Sequence, residues 1–315
     1  MTGYEALRNH AAWLDLSSRG KIKLTGEDRA RLLHAMTTNH IQQLTPDTGC
    51  YAFFLNDKGR VLANANVLCL SDHFLLDIEP ETRETLYQHL DHYIIADDVT
   101  LEDQTDATAT IAIEGPESAE ALRRAGATPP EHDYATEVWG ARLIARLNTT
   151  GSLGFFMFTS LGDKPALISA LETSGAEAAD AEAFRVVRLE HGKPRFGEDI
   201  TDRFLAQEAN QPHALHFSKG CYLGQEVVER VRSRGQIHRV LMPLQLDTKT
   251  PPQPGSRLQI GDANAAEITS AAFSPAFGRV VALGYVRTEH ARPHTAMKLG
   301  DVNAEVTEPA VVVPV

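Results

Sequence analysis

A cysteine on a glycine-bracketed turn is the residue of this sequence best placed to do chemistry. Cys221 lies in the string Lys-Gly-Cys-Tyr-Leu-Gly-Gln-Glu over residues 219–226. Two glycines four positions apart favour a tight turn with close backbone approach. The pattern after Gly224 predicts a short amphipathic helix that runs to Gly235, so the thiol precedes a helix N-terminus. Because that terminus and the ammonium of Lys219 both favour a thiolate, we expect a lowered thiol pKa.

The alternative for Cys221 is an unreactive role. Lone cysteines of intracellular proteins are more often small buried apolar residues. The residue types alone leave both interpretations open.

Composition and charge exclude several classes of protein. The chain has 315 residues, 43% of them apolar, and a net charge of −12. The acidic balance argues against a nonspecific nucleic-acid binder. Three widely spaced cysteines give no metal or disulfide framework and suit a reducing compartment. With no signal-peptide pattern and no apolar run of about 18 residues, we expect a cytoplasmic protein without a membrane helix.

The N-terminal half mixes strands and helices. Thr25 and Asp28 form the pattern of a capping box before a helix. Tyr51–Leu55, a turn at 56–59 and an alternating return strand predict a β-hairpin. On the return strand, Asn64 and Asn66 share a face, which could line a polar cavity or face water; the residue types alone favour water.

In the second half of the chain, the sequence pattern changes near residue 236. Ala181–His191 is predicted to be a helix ending at Gly192, which puts the carboxylate of Glu190 in the last turn. From 236 onward, short strands separated by Pro, Gly and Asp turns predict a small β-barrel. The sequence therefore predicts an α+β fold with an α/β region over 1–235 and a barrel over 236–315.

The string at 219–226 resembles the K-G-C-Y-x-G-Q-E motif of the YgfZ family, with all seven fixed positions matched. Members of that family are folate-binding proteins of iron–sulfur cluster assembly and repair, related to the glycine-cleavage T-protein. The resemblance implies two interleaved α/β modules and a barrel in a ring around a central folate pocket. It also implies a monomer that binds tetrahydrofolate and serves iron–sulfur enzymes, including tRNA-modifying ones.

The segment Arg188-Leu189-Glu190-His191-Gly192 is similar to the R-L-E-A-G of the T-protein. That resemblance implies that Glu190 holds the pterin, for which a carboxylate accepting two N–H groups is suited. Aromatic residues would stack on the pterin, and Tyr222, Phe217 and Tyr51 remain open as candidates. Cations for the glutamate tail of folate are available at several positions, namely Lys219, Arg230, Arg232, Arg234 and Arg239. The alternative for the arginines is a solvated helix face.

One departure from the T-protein bears on activity. Its G-G-x-x-D-D stretch carries an aspartate that serves aminomethyl transfer, and the matching positions here are Ala63 and Asn64. Neither side chain ionises, which speaks against glycine cleavage. We therefore expect Cys221 to do thiol chemistry, with Lys219, Gln225 and Glu226 shaping its loop. A folate-dependent one-carbon transferase or demethylase, and a tRNA-binding module, are the alternatives.

Overall fold

The structure is a computed structural model that describes residues 1–235 and 237–308. Of Arg234 it describes the backbone and not the side chain. The described residues form seventeen strands. They are β1 (Ala12–Asp15), β2 (Gly20–Thr25), β3 (Thr48–Leu55), β4 (Val61–Cys69), β5 (Phe74–Ile78), β6 (Thr100–Asp103), β7 (Thr108–Glu114), β8 (Thr136–Trp139), β9 (Arg142–Ala145), β10 (Gly154–Ser160), β11 (Glu177–Ala178), β12 (Arg239–Leu246), β13 (Arg257–Ile260), β14 (Ala263–Ser274), β15 (Arg279–Arg287), β16 (Ala296–Leu299) and β17 (Val302–Val306).

Seven α-helices accompany these strands in the described ranges. They are α1 (Gly3–Asn9), α2 (Arg29–Met36), α3 (Arg83–Tyr93), α4 (Ser118–Arg124), α5 (Lys164–Thr173), α6 (Ala181–Glu190) and α7 (Gln225–Arg234). None of them is long and apolar enough to cross a lipid bilayer.

The architecture consists of two mainly antiparallel sheets and a barrel. The first sheet has the order β3-β4-β5-β2-β6, and the second has the order β11-β1-β7-β10-β9-β8. The two sheets are interleaved in the chain, because β1 joins the second sheet and β2 joins the first. The last six strands close into a barrel in the order β12-β15-β14-β13-β16-β17. The predicted α+β class with a C-terminal β-barrel is confirmed.

One hydrophobic core joins the first sheet, α6, the cysteine loop and the barrel. It combines Phe53 of β3, Leu189 of α6, Tyr222 of the cysteine loop and Leu283 of β15, each at least nine-tenths buried. Burial of apolar surface stabilises by about 25 cal/mol per Å², so this shared core fixes these four elements relative to one another. The loop that carries Cys221 is therefore anchored by a residue of the central core.

The hairpin prediction is confirmed and the capping box is wrong. Strands β3 and β4 pair in antiparallel register around the turn at 56–59. Helix α2 begins at Arg29 with Asp28 as its N-cap, and no side chain caps it. The Asp28 carboxylate instead accepts a hydrogen bond from the backbone N–H of Asp98, at 2.9 Å. The Asp28 carboxylate, which the sequence pattern assigned to the helix, thus binds the segment before β6.

Candidate functional site

The lysine of the cysteine loop is turned into the protein. The Lys219 ammonium donates to the backbone carbonyls of His34 and Thr37 at the C-terminal end of α2. It also lies 4.6 Å from the centroid of the Tyr222 ring. The lysine is 7% exposed, and this burial lowers its pKa to about 8. The expected pairing of this ammonium with the thiol is thus replaced by contacts with the helix end.

The two ends of the loop bind the same helix terminus. Leu223 donates its backbone N–H to Ala35 at 3.0 Å, and His216 donates its own to Thr38 at 2.9 Å. The last turn of an α-helix leaves carbonyls without intrahelical partners, and an external donor must satisfy them when they are buried. The cysteine loop supplies those donors.

The second glycine of the motif allows the loop to approach the β3–β4 turn. Gly224 has φ 81, and a Cβ built on it would lie 2.6 Å from the carbonyl oxygen of Asn56. In return, a Cβ on Gly59 would lie 2.8 Å from the Cβ of Val227. Any side chain at either position would push the turn and α7 apart. The close packing of the β3–β4 turn against α7 therefore explains why these two positions are glycines.

The thiol of Cys221 is exposed, and it differs in this respect from the other two cysteines. Burial raises the pKa of Cys50 to about 12, and burial also raises the pKa of Cys69. Both thiols therefore stay protonated at neutral pH. The exposed position of Cys221 excludes the alternative of a small core residue.

The remaining residues of the motif have unequal surroundings. Gln225 is half-buried at the start of α7. Glu226 is solvated and pairs with Arg230 one turn later, at 3.2 Å. Tyr222 is buried in the shared core, where burial and the charge of Glu229 raise its pKa to about 12. Of the three aromatic candidates, Phe217 is 40% exposed with Arg232 4.7 Å from its ring centroid.

A second polar position lies inside the first sheet. The side-chain amide of Asn64 donates to the hydroxyl of Tyr51 at 2.9 Å. The Asn64 carbonyl oxygen is buried and has no hydrogen-bond partner among the described residues. Burial raises the pKa of Tyr51, so its hydroxyl stays protonated, and it donates to no described residue. Of the two alternatives for Asn64, the one that the residue types alone favoured, facing water, is wrong, because the residue is 9% exposed. Its role as a folate-binding residue stays a prediction.

Ionic and aromatic groups surround this Tyr51–Asn64 pair. The His213 ring lies 5.2 Å from the Tyr51 ring at an angle of 37°. Asn66, half-buried, donates to the Asp77 carboxylate at 2.8 Å, and Asp77 in turn accepts two hydrogen bonds from Arg19, both at 2.8 Å. Paired and fully engaged charges of this kind hold their positions rigidly. The unpaired oxygen of Asn64 therefore stands beside a network whose own groups are satisfied.

The structure places Glu190 at a joint between α1, α6 and the barrel. Its carboxylate is 1% exposed and pairs with Arg8. It also accepts hydrogen bonds from the hydroxyls of Tyr4 and Ser274, both at 2.6 Å. Neither Tyr51 nor Asn64 is among the described hydrogen-bond partners of Glu190. Its role toward a pterin stays a prediction, and such a role would require it to release some of these donors.

Arg239 is also engaged within the protein. Its guanidinium donates to the Glu208 carboxylate at 3.1 Å and lies over the ring of Phe204 at 4.7 Å. The rings of Phe204 and Tyr285 stack at 3.6 Å beneath it. The side chain of Arg234, another candidate for the glutamate tail, lies outside the described residues.

A cavity of about 260 Å³ lies between the segment before His213 and the barrel. Its walls come from the end of α6, this segment and strands β12 and β15: Gly192, Ala209, Asn210, Gln211, Pro212, Leu241, Pro243 and Leu283. Ligand pockets usually measure roughly 300–1,000 Å³, so the cavity has room for part of a folate-sized ligand. Pro212 lines it, and the next residue, His213, contacts Tyr51.

Sequence reasoning missed several of these residues. His213 and Arg19 had no distinguishing pattern, because their partners lie far away in the chain. Asp77 gave a weak signal as the one charged residue of the strand Phe74–Ile78. Within the described ranges, no group of three or more His, Cys, Asp or Glu side chains is arranged to hold a metal ion.

The comparisons with known proteins identify the family. Residues 2–219 match the GCVT N-terminal domain, and residues 239–314 match the glycine cleavage T-protein C-terminal barrel domain. The chain belongs to the glycine cleavage T-protein family. It shares the fold of the aminomethyltransferase T of the Bartonella henselae glycine cleavage system, with a TM-score of 0.90 and 23% identity over 98% of this chain and 89% of that one.

Curated relatives of this family member extend over most of its length. A chloroplastic protein of Arabidopsis thaliana, provisionally named a transferase, is 26% identical over 96% of this chain and 72% of its own. An aminomethyltransferase of Saccharopolyspora erythraea is 29% identical over 94% of this chain and 84% of its own. Family membership is therefore shown, and the narrower YgfZ assignment rests on the cysteine motif alone.

Proposed function

We propose that this protein binds a tetrahydrofolate at the Tyr51–Asn64 pair and uses Cys221 in the assembly or repair of iron–sulfur clusters. The observation that carries the folate part is the buried, unpaired carbonyl oxygen of Asn64. Leaving such a group without a partner costs about 1–3 kcal/mol, and a ligand N–H would remove that cost.

The pair offers one acceptor and one donor side by side. The Asn64 oxygen accepts, and the Tyr51 hydroxyl has a hydrogen available to donate. A pterin ring carries an N–H next to a carbonyl, which is the complementary arrangement. The nearby ring of His213 offers an aromatic face for the bicycle. A bound tetrahydrofolate would supply a carrier for one-carbon units or a reduced pterin.

The same pair argues against aminomethyl transfer. An amide has no proton to give or take near neutral pH, so Asn64 cannot act as the general acid or base that an aspartate would provide. The relatives named aminomethyltransferase favour one-carbon transfer as the second candidate. That candidate predicts turnover of an aminomethyl or methylamine donor in the presence of tetrahydrofolate.

The iron–sulfur part rests on the motif resemblance and on the exposed thiol. Thiolates are the usual protein ligands of iron–sulfur clusters, and an exposed one can reach a cluster held by another protein. The proposed partners are iron–sulfur enzymes or their assembly factors, including enzymes that modify tRNA, met by a monomer in the cytoplasm. The acidic chain makes direct nucleic-acid binding the least favoured alternative.

Calorimetric titration with tetrahydrofolate tests the folate part. We expect Asn64→Ala and Tyr51→Phe each to weaken binding about tenfold, the effect of one hydrogen bond. Asn264→Ala, at an exposed position of the barrel, is the matched control and should bind like the wild type. Equal affinities for all four proteins would contradict the assignment of the site.

A further inference from the structure

The lysine of the motif has a different role from the one its proximity to the cysteine suggests. We propose that Lys219 is a positioning residue: it fastens the Cys221 loop to the C-terminal end of α2, and it does not activate the thiol electrostatically. This inference rests on the proposed function of Cys221.

The first support is the direction of the side chain. The ammonium donates to the carbonyls of His34 and Thr37 and is buried, whereas the thiol two residues later is exposed. A cation is favoured at a helix C-terminus, where unpaired carbonyls carry partial negative charge. The helix end therefore supplies the compensation that a buried ammonium needs.

The second support is the set of neighbouring contacts that the lysine completes. The carbonyl of Ala35 lies between the two that Lys219 binds in sequence, and it accepts from Leu223. The carbonyl of Thr38 accepts from His216. Removing the ammonium would leave two carbonyls of one helix end unsatisfied and loosen the loop from both sides.

The third support is that imidazoles, and no carboxylates among the residues named here, pack beside the loop. The ring of His40 lies 4.7 Å from that of His34 and 5.1 Å from that of His216. A Cβ on Gly220 would lie 3.6 Å from Nε2 of His34. None of these neighbours is a carboxylate, and the ammonium donates to backbone oxygens, so its charge is held by the end of α2.

The experiment measures loop protection and thiol reactivity on the same proteins. Lys219→Met keeps the apolar stem and removes the ammonium, and Lys58→Met, at an exposed turn lysine, is the control. We expect backbone amide exchange at His216 and Leu223 to accelerate about tenfold or more in Lys219→Met. The pH midpoint of iodoacetamide labelling at Cys221, followed by peptide mass spectrometry, should stay within about 0.3 units of the wild type.

Two results would overturn the inference. One is a midpoint raised by about one unit or more, which would show an electrostatic effect on the thiol. The other is unchanged exchange at His216 and Leu223. If Lys219→Met does not fold, Lys219→Gln replaces it, since an uncharged amide can still donate to one carbonyl and should retain part of the protection. Neither readout needs folate or a client, so failure here is distinct from failure of the proposed function.

Discussion

The interior pair and the cysteine loop present opposite solutions to the placement of polar groups. At Tyr51 and Asn64, the backbone is fixed in a sheet, and a buried oxygen has no partner among the described residues. At the cysteine loop, the buried lysine has its partners, and the cysteine is exposed. An unsatisfied interior atom points to a small ligand, whereas an exposed thiol on an anchored loop points to a macromolecular partner. On the proposed function, the molecule thus separates ligand binding from thiol chemistry.

Removal of the thiol is the most severe test of the proposed separation between ligand binding and thiol chemistry. In a strain that lacks its own copy of the gene, we expect Cys221→Ala to support iron–sulfur enzyme activity no better than an empty vector. Tetrahydrofolate affinity should be unchanged, because the thiol lies outside the interior pair. Cys50→Ala is the control, since that thiol stays protonated. Full activity of Cys221→Ala would remove the thiol from the account.

The anchoring of the loop can be tested at its second glycine. Gly224→Ala adds a Cβ in a left-handed conformation against the carbonyl of Asn56. We expect a loss of about 2–3 kcal/mol in the free energy of unfolding, measured by urea denaturation. Gly300→Ala is the matched control, because that glycine also has a positive φ but has no atom within 4 Å of an added Cβ. Equal losses for the two variants would mean that the close approach to Asn56 contributes nothing.

A pH effect should distinguish the loop from the interior pair. Burial, together with the charges of Lys219, His40 and His216, lowers the pKa of His34 to about 4. Between pH 6.5 and 4, the unfolded chain binds a proton at this residue that the folded protein does not, so stability falls as the pH falls. We expect His34→Asn to reduce this loss by about 1 kcal/mol at pH 5.

Denaturation of wild type and variant at pH 7 and pH 5 measures the effect. His132→Asn, at an exposed histidine, should retain the wild-type dependence on pH. Identical pH dependence in wild type and His34→Asn would show that the imidazoles beside the loop stay uncoupled from folding.

The smallest effect is expected at the solvated end of the motif. Glu226 is 92% exposed, and among the described side chains it pairs with Arg230 of its own helix. Exposed pairs of this spacing contribute about 0.3–0.5 kcal/mol, so Glu226→Gln should shift the unfolding free energy by no more than that. A loss of iron–sulfur enzyme activity in this variant, measured as for Cys221→Ala, would contradict a role in shaping the loop. It would indicate that Glu226 contacts a partner.

Local patterns in the sequence predicted much of the fold and less of the site. The β3–β4 hairpin, helix α7 and the barrel follow from turns and alternation that lie within a few residues of each other. The predicted capping box does not form, because the Asp28 carboxylate accepts a hydrogen bond from the backbone of Asp98. The pairing of β2 with β6 brings these two residues together. The same limit applies to Asn64, whose partner Tyr51 lies across the hairpin.

The lysine shows what spacing alone cannot tell. Lys219 is two residues from Cys221, and sequence proximity suggested a shared electrostatic environment. Its partners are carbonyls of α2, more than 180 positions earlier in the chain, and no pattern in the sequence marks a backbone carbonyl as available. The orientation of Glu190 toward Arg8 was hidden for the same reason.

The central claim is that tetrahydrofolate binds at the Tyr51–Asn64 pair, and the side-chain amide signals of Asn64 report on it directly. These signals can be assigned in a heteronuclear NMR spectrum by their loss in Asn64→Ala. The account predicts that they shift saturably during a titration with tetrahydrofolate. Saturable binding that leaves them unmoved would place the ligand elsewhere and contradict the account.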